Sequence, residues 1–350
     1  MSGSDDGCII VHDGRAGFYF KGSQAQATLM LDAEITGLQF HPEMDHIFVT
    51  SDHKGSLCLR DMRMAFGTLS QRRQSGIVQI YNTKLSKRGV NHISNPEATS
   101  VTFDSTGNKL AVTLMHYLPT IYSLSDPNPI ATCSGKYLPD GQVVPVGQRT
   151  FSDSCTMKHG SFGSLGADEG QFYTHGSDDF RGYLWRLPVT PKLQGCRQEF
   201  SADEWEAGGS SDTVAFVEHP FGSRHQPVEI STPHCRLTGH NSIVNNALFH
   251  PFLPHIVTSG IENHITLHSP KPYSPCFQGR LNLSPQDVRE LPTGTYLDRD
   301  FYYRNLEHQL GPVDLDELQT IRLFDQILRQ EEMADVFEAR RWVVDDDDDV

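Results

Sequence analysis

The stretch ITGLQFHPEMDHIFVTS, residues 35–51, recurs later in the chain as IVNNALFHPFLPHIVTS, residues 243–259. Phe-His-Pro and His-Ile fall at matching places, and a one-residue gap brings the two Val-Thr-Ser triplets together. Both copies continue through a short turn into a third run, GSLCLRD at 55–61 and NHITLHSP at 263–270. Short β-rich runs separated by turns that carry Gly, Asp, Asn or Pro predict strands joined in hairpins. The stretch therefore predicts a repeated all-β unit.

Three weaker copies follow the same plan. Residues 99–123 and 155–186 are two of them, and residues 2–13 form a partial copy at the start of the chain. Four short strands in about 40 residues are the signature of a β-propeller blade, which buries its apolar faces on its neighbours. We therefore predict an all-β propeller over residues 1–270.

An acid pair in HGSDDFRGYLWR, residues 175–186, could belong to a catalytic site or to a turn between strands. Asp178 and Asp179 of this stretch recur as Asp5 and Asp6 in the partial copy SGSDDGCIIVHD. Aspartate tolerates turn geometry and hydrogen-bonds its own backbone. Because the pair recurs at one place in a repeat, it predicts a structural hairpin turn rather than catalysis.

The composition argues against several classes of function. The net charge is −15, and residues 311–350 hold 13 acids and 4 arginines, which contribute −9 of it. Residues 1–310 are therefore only mildly acidic, which is unfavourable for direct binding to nucleic acid or to an anionic membrane. The seven cysteines are scattered without a CxxC, and neither a secretory signal nor a membrane-spanning apolar run is seen. We therefore expect a nuclear or cytoplasmic protein that is not secreted.

No sequence motif points to chemistry. GxGxxG, Walker A, GxSxG and HExxH are absent, so we expect no enzyme, no catalytic residue and no cofactor. Most of the 17 histidines sit in Phe-His-Pro turns or before strands, at repeat-equivalent positions such as His41 and His250. Equivalent positions lie on different blades, so structural roles are favoured and no metal site is expected. A propeller enzyme would need acids or histidines on inner strands, and residues 35–40 and 243–249 are apolar or neutral.

Four regions differ from the repeats. Residues 194–233 are rich in Gly, Ser and acids and predict a flexible surface insertion, with Trp205 as its apolar anchor. Residues 271–311 predict an irregular linker. Residues 312–342 predict an amphipathic helix, which either docks on its own propeller or binds a partner. The acidic run at 343–350 predicts a solvated, disordered end.

The repeats also carry a family likeness. Trp185, Gly239 and His240 stand where WD-repeat blades have their Trp and their Gly-His pair, and Asp178 and Asp179 fill the family's turn. Together, the motifs resemble the cullin-four-associated WD-repeat factors, in particular the subgroup of the fifth-numbered member and its fungal relatives. The stretches that carry this resemblance are SCTMKHGSFG (154–163), HGSDDFRGYLWRLP (175–188), LTGHNSIVNNALFHP (237–251) and LFDQILRQEE (323–332).

The resemblance implies a substrate receptor that performs no chemistry itself. Such factors dock on the DDB adaptor of a cullin-four ubiquitin ligase and present a target protein. Docking in the family uses Trp-Asp-x-Arg at the end of a blade's third strand. The matching residues here are Arg60, Asp61 and Arg63, with Arg60 in place of the Trp, and the next candidate is Asn82 with Lys84. The alternative is a general WD-repeat scaffold that never meets the adaptor.

The resemblance implies a nominal seven blades, and the chain holds fewer. It starts inside one blade, and GIVQIYN at 76–82 predicts a third blade strand whose first two strands are missing. We therefore expect an incomplete propeller, produced either by a truncated sequence or by a reduced ring.

Overall fold

A computed structural model describes residues 1–12, 27–68, 70, 72–164, 172–209, 211–270, 288–291, 315–331 and 335–337. The described chain is mainly β-strand, arranged in several small and mostly antiparallel sheets. The prediction of a mostly β protein is confirmed at that level, and the arrangement is propeller-like. We number five sheets 1 to 5 in chain order and name the sixth the side sheet.

The strands within each sheet are hydrogen-bonded neighbours. Sheet 1 has the order β1 (Ser2–Gly3), β2 (Cys8–Ile10), β3 (Thr28–Met30). Sheet 2 contains β4 (Ile35–Phe40), β5 (Ile47–Asp52), β6 (Leu57–Asp61) and β7 (Ile77–Tyr81). Sheet 3 contains β9 (Ala98–Phe103), β10 (Lys109–Leu114), β11 (Thr120–Ser123) and β12 (Pro129–Cys133), with β19 (Val228–Ile230) added at the edge.

The remaining elements complete the list. Sheet 4 contains β13 (Ser161–Gly163), β14 (Phe172–Gly176), β15 (Gly182–Arg186) and β20 (Cys235–Leu237). Sheet 5 contains β21 (Val244–Phe249), β22 (Ile256–Gly260) and β23 (Ile265–His268). The side sheet has the order β16 (Gln198–Phe200), β18 (Arg224–Gln226), β17 (Val214–Val217), β8 (Leu85–Lys87). The helices are α1 (Met62–Ala65), α2 (Thr190–Cys196), α3 (Ala202–Ala207) and α4 (Leu315–Glu331), and a 3₁₀ turn spans Gln74–Gly76.

Each pair of consecutive sheets shares its own apolar core. Burying one large apolar side chain stabilises the fold by roughly 1.5–3 kcal/mol, so these four interfaces hold the sheets side by side. Members of the four clusters, in order along the chain, are Ile9 with Phe48, Val49 with Leu110, Ile121 with Trp185, and Leu184 with Ile256.

The strand at Ile77–Tyr81 corrects one sequence prediction. We expected it as the third strand of a separate blade, and it is instead β7, the fourth strand of sheet 2, paired with β6. Helix α1 and the 3₁₀ turn supply the connection between these two strands. The short spacing after residue 61 therefore reflects one complete four-stranded sheet.

Residues 194–233 also differ from the flexible insertion that we predicted. They provide three strands of the side sheet, and β19 pairs in parallel with β12 of sheet 3. Trp205, on α3, is buried, and the Arg88 guanidinium stacks 4.7 Å from the centre of its indole ring. The composition predicted a loop because the strands are short, and because the partner strand β8 lies more than 100 residues earlier in the chain.

Of the helix predicted over 312–342, residues Leu315–Glu331 are helical and residues 335–337 form a turn, and the other residues of that range lie outside the described part of the chain. Of the predicted linker at 271–311, only 288–291 lie within the described residues, and the acidic end at 343–350 lies outside them. No described helix has both the length and the apolar character needed to cross a membrane.

The histidines of the two Phe-His-Pro turns have matching structural roles. The ring nitrogen Nδ1 of His41 accepts hydrogen bonds from the backbone N–H groups of Glu43 (3.1 Å) and Met44 (3.0 Å). His250 caps its own turn in the same way, accepting from the next two backbone N–H groups after the proline at 3.1 Å each. The His41 ring also packs on Gly107, whose φ of +72° and lack of a side chain permit the close approach.

Candidate functional site

The end of strand β6 carries the motif that the sequence singled out for docking. Asp61 is the last residue of β6, and its carboxylate caps α1 by accepting a hydrogen bond from the backbone N–H of Arg63 at 2.9 Å. An aspartate at this position is favoured because it satisfies an N–H group that the first helical turn leaves without a partner. The cap turns the chain and places Arg63 just beyond the sheet.

Asp61 also holds the guanidinium of Arg63 in place. Nη2 of Arg63 lies 2.6 Å from Oδ2 of Asp61, and Nε donates to both carboxylate oxygens at 3.1 Å. These hydrogen bonds hold the pKa of Asp61 below its usual range. The Asp61 side chain is only 8% exposed, whereas that of Arg63 is 69% exposed. The pair therefore presents an oriented cation to solvent.

Arg60, which stands where the family motif has Trp, points into sheet 2. It is buried, and its Nε donates to Oγ1 of Thr50 at 3.0 Å while Nη1 donates to the carbonyl of Ser75 at 2.8 Å. Burial lowers the pKa of this guanidinium. The structure therefore gives Arg60 the packing position of a core side chain and keeps it off the surface that Arg63 reaches.

Asn82 and Lys84 lie at the other end of the same sheet. Leu57 pairs with Tyr81 and Arg60 pairs with Ile77, so residues after β7 lie beside the start of β6. At about 3.3 Å per residue, the two ends of β6 are roughly 13 Å apart. The structure therefore does not bring the five predicted docking residues together.

The side chains of Asn82 and Lys84 also have local partners. Asn82 is buried, and its Nδ2 donates to Oδ1 of Asn128 at 3.2 Å. Lys84 is exposed, and its Nζ donates to the carbonyl of Glu218 at 3.2 Å. Of the two residues, Lys84 is therefore the exposed cation, and Asn82 belongs to the interior.

The two ends define two rims of the molecule. We name the end with the β5–β6, β10–β11, β14–β15 and β22–β23 turns the turn rim, and the opposite end the Arg63 rim. Helix α4 lies on the turn rim: Leu328 packs with Phe180, and the backbone N–H of Asn263 donates to Oε1 of Glu317 at 3.1 Å. The backbone carbonyl of Val336 then accepts from Oγ of Ser94 at 2.6 Å. Of the two outcomes that the sequence left open, the described helix shows docking on its own sheets.

Trp185 occupies the interior between sheets 3 and 4. It is fully buried, and its Nε1 donates to the carbonyl of Ser134 at 2.8 Å. The rings of Phe151 and Tyr183 lie 5.4 and 5.5 Å from its own ring. A buried indole needs a hydrogen-bond partner and aromatic neighbours, and this position provides both.

Asp178 and Asp179 lie in the β14–β15 turn, as the repeat predicts, and both are buried. Oδ2 of Asp179 accepts from Nη1 of Arg181 at 2.8 Å and from the Tyr183 hydroxyl at 2.7 Å. Oδ1 of Asp178 lies 2.6 Å from Nζ of Lys158. Each carboxylate therefore has a cation beside it, which buried charges require.

A buried charge cluster around Lys158 was not expected from the sequence. Lys158 is fully buried, with Nζ 3.0 Å from Asp153 and 2.6 Å from Asp178. Burial raises the pKa of Asp153 to about 7, and the Asp178 charge acts in the same direction while that of Lys158 opposes it. Burial works to lower the pKa of Lys158, but the two carboxylates raise it above its usual value. A lone Lys in KHG carries no pattern that predicts such burial.

Gly239 and His240 precede strand β21 of sheet 5. His240 is buried, its Nδ1 lies 3.1 Å from Oε2 of Glu262, and its Nε2 lies 2.8 Å from Oγ1 of Thr258. The same hydroxyl oxygen lies 2.8 Å from Nε2 of His268. The Gly-His pair of the sequence thus starts a hydrogen-bonded chain across sheet 5.

Together, the sheets and rims define a mostly β, propeller-like protein with a clamped surface cation at a strand end. No family model matches the chain. The chain is similar over its whole length to DDB1- and CUL4-associated factor 5 of Homo sapiens, at 25% identity, and to that of Mus musculus, at 24%. It spans about a third (34%) of the length of these relatives. The crystal structure of the computationally designed Ika4 protein matches 68% of this chain and 92% of the Ika4 chain, at 10% identity. Its TM-score of 0.34 supports no conclusion.

Proposed function

We propose that this chain is a non-enzymatic substrate receptor of a cullin-4 ubiquitin ligase that docks on the DDB1 adaptor through the Arg63 rim. The observation that carries the proposal is the Asp61–Arg63 pair, a fixed and 69% exposed guanidinium at the end of a third strand. The resemblance to the family's Trp-Asp-x-Arg motif supports the choice of these residues. The printed name of the similar human and mouse proteins associates them with DDB1 and CUL4.

The chemistry of the pair suits a protein interface. Arginine carries five donors in a rigid fork, so Asp61 can engage Nε and Nη2 while the group still offers donors to a carboxylate or carbonyl of a partner. Because Asp61 already fixes the side chain, docking costs little of the rotamer entropy that a free arginine would lose. Oriented arginines of this kind are common among the few residues that dominate an interface.

The position of α4 supports the choice of rim. Among the described residues, α4 and residues 335–337 lie on the turn rim, on the side of the molecule away from Arg63. Lys84 also lies at the turn rim, and the length of β6, about 13 Å, separates that rim from the end that carries Arg63. We therefore assign docking to Asp61 and Arg63, and use Lys84 as a matched cation on the other rim.

A binding measurement with purified DDB1 tests the proposal. Arg63→Ala should lose about 2 kcal/mol, roughly thirtyfold in affinity, because an anchoring fork is removed. Arg63→Lys should recover only part of the loss, since an ammonium cannot reproduce the fork. Lys84→Ala should bind as the unmodified chain does, and denaturant melts confirm that each variant is folded.

Two outcomes would contradict this assignment. Equal binding by folded Arg63→Ala and by the unmodified chain would remove Arg63 from the interface. If the folded, unmodified chain does not bind DDB1, the general WD-repeat scaffold becomes the better description, because Arg60 has replaced the Trp of the family's motif.

A further inference from the structure

The outer edge of sheet 2 exposes apolar side chains. Strand β7 is the last strand of this sheet, and β6 is its only partner among the described strands. Burial alternates along β7, and its exposed side chains are Val78 (54%) and Ile80 (60%). Natural sheet edges are often protected by charged residues, because their N–H and C=O groups can pair with another chain. The five residues of β7, IVQIY, carry no charge, so this edge lacks that protection.

The half of β7 nearer the turn rim has the regular geometry that strand pairing needs. The register of β6 with β7 shifts between Leu59 and Arg60, in the half nearer the Arg63 rim. The N–H and C=O groups of an antiparallel strand point alternately to its two sides. The N–H of Asn82 donates to a different sheet, to the carbonyl of Pro127 at 2.8 Å. We therefore expect the backbone groups of Ile80, two residues earlier, to face the open edge.

A cleft of 190 Å³ adjoins Ile80 at the turn rim. The Thr83 hydroxyl donates to the carbonyl of Gly55 at 2.6 Å, which holds the β5–β6 turn against the end of β7. Lys54 precedes Gly55 and Lys84 follows Thr83, so this contact brings two cations to one cleft. The residues that line the cleft include Lys54, Ile80, Tyr81, Lys84, Asn95 and Glu218.

The two lysines of the cleft contact carbonyl oxygens rather than carboxylates. Both are exposed; Nζ of Lys54 donates to the carbonyl of Asp32, and Nζ of Lys84 donates to that of Glu218 at 3.2 Å. A carbonyl carries no net charge, so each ammonium group retains its attraction for an anion. The exposed carboxylate of Glu218 also lines the cleft and opposes a bound anion. With Ile80 on one side, the cleft suits an acidic side chain beside an apolar one.

We propose that the turn-rim half of β7 binds an extended peptide segment of a target protein by strand addition. An apolar side chain of the segment packs on Ile80, and neighbouring acidic side chains contact Lys54 and Lys84. Strand addition takes its affinity from main-chain hydrogen bonds and its specificity from pockets for alternate side chains. Because the regular edge is short, the cleft supplies much of the selectivity. In an antiparallel addition, the acids precede the apolar residue along the partner.

The position of the cleft is compatible with adaptor docking. It lies at the turn rim of sheet 2, and Arg63 lies at the other end of the same sheet. A partner bound at Arg63 therefore leaves this edge accessible. As a site for a target protein, the edge rests on the proposed function, whereas its binding of an acidic and apolar peptide does not require the adaptor.

Selection from a random eight-residue peptide library on the folded full chain tests the proposal. We expect enriched peptides in which Asp or Glu stands directly before alternating apolar residues. In fluorescence polarisation, a selected peptide should bind the double variant Lys54→Ala, Lys84→Ala about fivefold to tenfold more weakly, because two exposed charge pairs are lost. Added salt should weaken binding to the unmodified chain more than to this variant. The matched control is Lys192→Ala, an exposed lysine on another element.

Ile80→Thr tests the apolar part of the edge. Threonine keeps the preference for a strand and removes much of the apolar surface, so binding should weaken at least about fivefold. Ile265→Thr is the matched control, because Ile265 is also an exposed isoleucine on the last described strand of a sheet. Glu218→Gln should strengthen binding, since it removes a negative charge from the cleft. Circular dichroism verifies that each variant is folded.

Several results would overturn the site. A library that yields no acidic enrichment, or equal binding by the folded double lysine variant, removes the cleft from recognition. A dimer in sedimentation that Ile80→Thr abolishes makes a second copy the occupant. Stronger peptide binding after Asp345–Asp349 are changed to Asn makes this chain's own acidic run the occupant. A chain that binds DDB1 but selects no such peptide contradicts this site alone, whereas the converse contradicts only the proposed function.

Discussion

The β1–β2 turn of sheet 1 and the β14–β15 turn of sheet 4 share the letters Gly-Ser-Asp-Asp, yet their acids have different environments. Asp5 and Asp6 are exposed, and Asp6 accepts from the backbone N–H of Cys8 at 3.0 Å. Asp178 and Asp179 are buried between cations. The same four letters therefore build the same hairpin in both sheets, with solvent around one and protein around the other.

The backbone confirms that the turns correspond. Aligned without a gap, Gly7 falls on Phe180, and both adopt a left-handed conformation, with φ of +77° and +70°. Phe180 is held in this unusual conformation by the guanidinium groups of Arg149 and Arg289, 4.5 and 4.8 Å from its ring centre. Local sequence thus sets the turn, and the surrounding sheets and α4 decide what the turn's side chains contact.

The largest expected difference between the two regions is at the strand that follows each turn. Trp185 aligns with His12, and Trp185 is fully buried whereas His12 is exposed. Trp185→Ala should cost about 3–5 kcal/mol of unfolding free energy, the range for a buried large aromatic. His12→Ala should stay within about 0.5 kcal/mol. Urea denaturation measures both, and a loss below about 1 kcal/mol for Trp185→Ala would contradict its core position.

Next in size is the first acid of each pair. Asp178→Asn removes a charge-assisted contact to the buried Lys158 and should cost about 1.5–3 kcal/mol. The loss stays in this range because Lys158 keeps Asp153 as a counter-ion. The equivalent change Asp5→Asn should be nearly neutral, since Asp5 is exposed. Equal losses in paired urea melts would show that burial does not distinguish the turns.

The left-handed position offers a test in which Gly should be better than Ala. Both Phe180→Gly and Phe180→Ala remove the aromatic ring, but only the Ala variant has a Cβ atom that is strained at a positive φ. Phe180→Gly should therefore be more stable than Phe180→Ala by about 1–2 kcal/mol. Gly7→Ala should be destabilising in sheet 1 for the same reason. If Ala proves the better residue at 180, the backbone conformation assigned to this turn is wrong.

The last expected effect is a dependence of stability on pH. The pKa of Asp153 rises from 3.8 to about 7 in the fold, so the folded state binds this proton more tightly than the unfolded state. Stability contributed by Asp153 should therefore decline as pH rises from about 4 to 7, by at most about 1.4 kcal/mol per pH unit. The pKa of Asp6 is lowered instead, by hydrogen bonds from Ser4 and Cys8, so its contribution is lost as pH falls.

Asp153→Asn isolates the contribution of that buried acid. The stability of the unmodified chain relative to this variant should fall between pH 5 and pH 8, measured by urea denaturation at each pH. Parallel stability curves for the two proteins would mean that Asp153 keeps an ordinary pKa in the fold.

The sequence predicted the parts of the fold that depend on local pattern. Alternating β-rich runs, Phe-His-Pro turns and the acid-pair turns all follow from residues close together in the chain. The burial of Lys158 and the role of Arg60 did not follow from the sequence, because both depend on neighbours that are remote in sequence. Ser75, which receives Arg60, belongs to a connection that had no recognisable pattern.

The candidate site shows the same division. The position of Asp61 and Arg63 at a strand end could be read from the motif, and the exposure of Arg63 agrees with it. The separation of Asn82 and Lys84 from that site could not, because it depends on β7 being the fourth strand of sheet 2. One strand assigned to a different sheet moved two predicted residues to the opposite rim.

The side sheet has a consequence for how the protein forms on the ribosome. Strand β8 pairs with β17 through Lys87 and Val214, which are 127 positions apart in the sequence. At about 5–20 residues per second, β8 remains without this partner for roughly 6–25 seconds after it is synthesised. The segment between sheets 2 and 3 is thus completed late, by a strand that emerges only after sheets 3 and 4 have most of their chain.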